Sequence, residues 1–91
     1  MRTIYKYQFR PSDPLYIDMP AGADIIHVAS QNGINTLWSV VDTDWVNVTR
    51  RFRMVGTGHP LPADVSVDTH VATWMDGEFV WHLFGLRAPL L

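Results

Sequence analysis

The sequence predicts an all-β fold: a small antiparallel sandwich or open barrel of about seven short strands. Three observations point there. Apolar residues recur at every second position in short runs. Two-residue turn signals, Asn32-Gly33 and Asp76-Gly77, sit between such runs. No stretch sustains the 3.6-residue apolar period of a helix.

Thr3 to Phe9 alternates, with Tyr5, Tyr7 and Phe9 on one face and Lys6 and Gln8 on the other. Arg10-Pro11-Ser12-Asp13-Pro14 breaks the run, because proline and Asp favour a turn. Leu15 to Met19 is a second strand with Leu15, Ile17 and Met19 on one face, and Pro20-Ala21-Gly22-Ala23 turns the chain again. Asp24 to Gln31 and Ile34 to Val41 form a hairpin about Asn32-Gly33, two residues that accept positive φ. Ile26 and Val28 share one face of its first strand, and Ile25, His27 and Ala29 the other. In the second, Leu37 and Val41 oppose Trp38 and Val40, which predicts a central strand covered on both sides. Val48 to Val55 follows, with Val48, Phe52 and Met54 inward and Thr49, Arg51 and Arg53 outward. Asp64 to Asp68 is polar and ambiguous. Thr69 to Met75 and Glu78 to Leu83 make a second hairpin about Asp76-Gly77, and Arg87 to Leu91 is a tail expected to fray or pack on a neighbour. Val28, Leu37, Phe52, Met54, Trp74 and Trp81 are the expected core.

At 91 residues, 47% hydrophobic and 18% charged, the chain suits one globular domain with one modest core and is too apolar for disorder. A net charge of −2 provides no global basic field for holding nucleic acid by its phosphates. The absence of cysteine excludes disulfides and thiolate metal sites. Met1 to Lys6 shows no apolar run of signal-peptide length, and no run is long enough to span a membrane as a helix.

The loop Gly56-Thr57-Gly58-His59-Pro60-Leu61-Pro62 is both permissive and stiff, because glycine opens backbone angles and proline locks φ. It is either a shaped turn at a sheet edge or a ligand loop offering backbone N–H groups and the His59 ring. Arg51 and Arg53 lead straight into it. On a strand they lie about 6.6–6.8 Å apart on one face, a spacing that suits two phosphate oxygens. The plainer alternative is a solvated face paired with Asp or Glu. Trp45 stands alone in a polar loop, either folded back on the core as a lid or left out as an anchor. The candidate ligand-binding residues are therefore Arg51, Arg53, Gly56, Thr57, Gly58, His59 and Trp45.

Catalysis and metal binding find little support. A two-residue turn at Asp76-Gly77 places Trp74 opposite Phe79, His70 opposite Leu83 and His82 opposite Val71, so His70 and His82 point to opposite sides of the sheet. No nucleophile elbow or other local catalytic signature accompanies the serines. No cofactor is expected, and the protein is not expected to be an enzyme.

Four blocks, Met19-Pro20-Ala21-Gly22-Ala23, Val28 to Trp38 with Gln31-Asn32-Gly33, Gly56 to Pro62, and Phe79-Val80-Trp81-His82-Leu83-Phe84, resemble a family of small tailed-phage proteins that is a domain of unknown function. The resemblance implies a viral origin and the host cytoplasm as place of action, and supplies no catalytic residue or ligand. The expected function is non-catalytic capture of a small anionic, nucleotide-like ligand, such as a host defence signal. The alternative is docking on a host protein, as an inhibitor or a virion accessory part. A heavy aromatic load suggests a homo-oligomer; sequence-specific nucleic acid and a membrane are not expected partners.

Overall fold

The computed structural model describes residues 1–85. Its period-two runs become seven strands: β1 (Arg2–Phe9), β2 (Leu15–Pro20), β3 (Asp24–Gln31), β4 (Ile34–Asp42), β5 (Asn47–Gly56), β6 (His70–Asp76) and β7 (Phe79–Gly85). They form two antiparallel sheets, ordered β1-β4-β3 and β2-β5-β7-β6. The sheets lie face to face in a body 18 Å thick along its shortest axis. This is a sandwich rather than an open barrel, and no α-helix occurs among the described residues. The tail Arg87 to Leu91 lies outside the described residues.

The core is the set of inward positions on both sheets. Met19, Leu37, Phe52 and Leu83 are fully buried at its centre, and a buried side chain of this kind stabilises by about 1.5–3 kcal/mol. Trp74 ties the sheets together. Its ring meets Phe9 edge-on at 5.9 Å, and its Nε1 donates to Asn35 Oδ1 at 2.9 Å. Five of the six expected core residues are buried; Trp81 is half-buried and packs against the core from its edge. At the opposite end Arg50 caps the core, donating to the Ala23 carbonyl at 2.7 Å with its guanidinium 5.3 Å from the Phe52 ring.

Asn32 and Gly33 both take positive φ, 52° and 78°, between the paired Gln31 and Ile34, so this hairpin turns where the sequence predicts. The second hairpin differs. Asp76 pairs with Phe79, so the turn is Gly77-Glu78 with Gly77 at φ 60°, the glycine-first geometry of a type II′ turn. Trp74 therefore faces Trp81, and Thr73 faces His82. A bulge between His70 and Ala72 then carries His70 to the face it was expected to oppose.

Other expectations are also corrected. A bulge between Ile25 and His27 separates Ile26, which is exposed, from Val28, which is buried. Val48 is exposed, because β5 runs past the core there and Arg50 closes the end instead. Trp38 and Val40 line the outer face of the three-stranded sheet, which no element covers among the described residues. The ambiguous Asp64 to Asp68 stretch contains the start of a short 3₁₀ turn, Val67–Thr69, capped by Ser66, whose hydroxyl accepts from Asp68 N–H at 3.3 Å.

Candidate functional site

β5 leads from one end of the sandwich to the other. Its ten residues cover about 30 Å at about 3.3 Å each. Trp45 precedes its start, and the Gly-His-Pro loop follows its end. These expected site residues therefore do not converge. Trp45 is 62% exposed rather than folded on the core. It borders a hollow of about 360 Å³ with Arg2, Asp24 and Asp42, and Gly56, Thr57, Gly58 and His59 belong to the other end.

The arginines are spoken for. Arg53 holds Asp13 in a two-point grip, Nε to Oδ1 at 2.7 Å and Nη2 to Oδ2 at 3.1 Å. Its Nη1 donates to Asp64 at 3.0 Å, and Arg51 Nη1 reaches the same carboxylate at 3.5 Å. The hydrogen bonds from Arg53, joined by Met54 N–H, hold the Asp13 carboxyl below the usual carboxylate range. Asp64 arrives here because the connection from β5 to β6 must pass β7, which lies between them. Two guanidinium groups thus meet two carboxylates, the plainer of the two sequence readings, and their charge is balanced without an outside anion.

The loop itself folds tightly. His59 N–H donates to the Gly56 carbonyl at 3.1 Å, and Gly58 takes φ 88°. The His59 ring lies directly over Gly56: a Cβ at that position would stand 3.1 Å from His59 Nδ1 and 3.6 Å from Trp81 Cζ3. Gly56, His59 and Trp81 form a wall common to two adjoining hollows. The first, about 330 Å³, is bordered by Pro11, Met54 and Pro60, with Asp13 at its rim. The second, about 360 Å³, is bordered by Thr57, Glu78, Phe79 and Val80. Both have the volume of small-ligand sites. Phe79, itself 62% exposed, stacks on Trp81 with centroids 5.7 Å apart and planes at 22°. Trp81 Nε1 is buried with no hydrogen-bond partner among the described residues.

Behind this wall, on the outer face of the four-stranded sheet, runs a chain of hydrogen bonds that sequence reasoning missed. Thr57 Oγ1 lies 2.7 Å from His82 Nε2, His82 Nδ1 lies 2.8 Å from Thr73 Oγ1, and Thr73 Oγ1 lies 2.9 Å from His70 Nε2. Both ring nitrogens of His82 are engaged, so the ring is fixed in orientation. Only the register of the second hairpin and its bulge bring these four residues together. No group of three or more His, Asp or Glu side chains with metal-site geometry occurs among the described residues.

Fold and site define a small β-sandwich with an aromatic cleft at one end. The chain matches, over residues 1–89, the family described as "Domain of unknown function (DUF7352)", and it belongs to that family. No curated protein and no solved structure matches it significantly.

Proposed function

We propose that the chain is a non-catalytic binding module whose cleft beside Gly56, His59 and Trp81 receives a flat aromatic ring, the base of a nucleotide-like ligand. The observation that carries this reading is the wall of Gly56, His59 and Trp81 common to two hollows of small-ligand volume. The stacking of Phe79 on Trp81 supports the same use of the surface. Among the described residues no Lys or Arg borders either hollow, and Arg51 and Arg53 face Asp13 and Asp64. The ligand's phosphates therefore stay in solvent, in place of the arginine clamp expected from the sequence. The resemblance of the four sequence blocks is what supports a tailed-phage origin and a place in the host cytoplasm; a host defence signal is the nucleotide-like ligand proposed in that setting.

A thermal-shift panel of nucleosides and their phosphates tests the reading. A ligand bound only by the folded chain raises the melting temperature by mass action. A nucleoside and its monophosphate should give similar shifts. His59→Ala should reduce both, and Arg51→Ala should leave both intact. A panel without any shift overturns it.

One observation favours a second reading, docking on a host protein. Trp45 and Val46 are exposed side by side at the other end of the sandwich, where an aromatic anchor would serve an interface. That reading expects a host-protein complex lost in Trp45→Ala and indifferent to His59→Ala.

A further inference from the structure

A sandwich of two open sheets has four edge strands, here β1, β3, β2 and β6. Natural sheets blunt or cover such edges, because their free N–H and C=O groups invite another strand. Three of the four are dealt with. β3 and β6 each carry a bulge, and they lie against one another, with Ser30 Oγ donating to Asp76 at 3.4 Å. β2 has only six residues, follows Pro14 and ends at Pro20. β1 differs: it has eight residues in unbroken register with β4, no proline and no bulge. Its Ile4 is 55% exposed and its Tyr5 is exposed as well.

The ladder identifies which groups are free. Thr43 N–H donates to the Met1 carbonyl at 2.8 Å, and bonded and non-bonded pairs alternate along an antiparallel ladder. Thr3, Tyr5 and Tyr7 therefore turn their backbone groups toward β4. Arg2, Ile4, Lys6 and Gln8 turn theirs outward.

We infer that β1 pairs with β1 of a second copy of this chain, making one six-stranded antiparallel sheet across a two-fold axis. An axis perpendicular to the sheet keeps both inner faces on one side and restricts the registers. Centred on Tyr5, the pairing sets Ile4 opposite Lys6 of the second copy and Arg2 opposite Gln8. All four outward residues of each strand then exchange two N–H···O bonds with their partners. Centred on Lys6, it sets two ammonium groups against each other. Centred on Ile4, it leaves Gln8 unpaired. The Tyr5 register alone satisfies every free group with no like charges directly opposed, Lys6 of one copy standing diagonal to Lys6 of the other, and it brings the two Tyr5 rings together as a close non-bonded pair.

Sedimentation equilibrium of the whole chain tests this. The expected mass is twice 10.4 kDa at high micromolar concentration. Ile4→Pro and Lys6→Pro each remove one outward N–H and leave the β1–β4 ladder intact, so each should yield a folded monomer, checked by far-UV circular dichroism. Charge reads the register: Ile4→Lys opposes Lys6 of the second copy, whereas Ile4→Glu attracts it. The two dissociation constants should differ by about tenfold, with Ile4→Glu tighter. A monomer in the unaltered chain, a dimer that survives both proline changes, or equal effects of Ile4→Lys and Ile4→Glu overturns the inference. The nucleotide panel is independent of it, because the cleft and β1 share no residue.

Discussion

Trp74 and Trp81 face one another across β6 and β7, yet the same substitution in each should have opposite consequences. Trp74 is 5% exposed, and its N–H is paired with Asn35, which is 3% exposed. Trp74→Phe breaks that hydrogen bond and leaves the Asn35 oxygen buried without its donor, at a cost of about 1–3 kcal/mol. Trp81→Phe deletes a donor that has no partner, which relieves a desolvation penalty of about 1–3 kcal/mol and offsets the volume lost with the smaller ring. Both changes remove the same atoms, so the cavity contributions largely cancel in the comparison. The two variants should differ by about 3 kcal/mol, or roughly 12–24 °C in melting temperature for a domain of this size. Urea unfolding by circular dichroism reads the difference directly. A Trp81→Phe variant as unstable as Trp74→Phe would refute the reasoning, because it would mean that the indole N–H of Trp81 is not an unpaired donor.

Other outcomes follow from the same contacts. Asp13 has a folded-state pKa below its unfolded value, so its contribution is present above the unfolded pKa of about 3.9 and is lost as pH falls through the folded pKa. Acid unfolding of Asp13→Asn should therefore show a shallower loss of stability below about pH 4 than the unaltered chain. Arg53→Ala strands Asp13 and should lower the melting temperature more than Arg51→Ala, which loses one long contact. Gly33 sits at φ 78° with open space where a Cβ would stand, so Gly33→Ala should cost about 1–2 kcal/mol from backbone strain alone, read by chemical denaturation.

Strand order along the chain was legible because it is written locally. Alternation places Leu15, Ile17 and Met19 inward with no knowledge of any partner, and Asn32-Gly33 carries its own turn geometry. What stayed hidden depends on partners far along the chain. Asp13 lies 40 residues from Arg53, and nothing near either one signals the pair. The bulges at Ile25/His27 and His70/Ala72 are settled by the neighbouring strand, so His70 and His82 were assigned to opposite faces although Thr73 joins them. The sequence leaves Trp45 a choice between lid and anchor, and the end of the core that a lid would cover is closed by Arg50.

The placement of β7 sets the order in which this molecule can become itself. It is the last strand among the described residues, yet it lies inside its sheet, between β5 and β6. Until it arrives, β6 has no strand to pair with and β5 is bonded on one side only. Residues 1–78 therefore cannot close the four-stranded layer by themselves. Acquisition of structure waits on contacts between distant parts of the sequence, the condition that makes β-sandwiches slow to fold. Any fragment ending at Asp76 forfeits the wall around Trp81 together with half of its sheet.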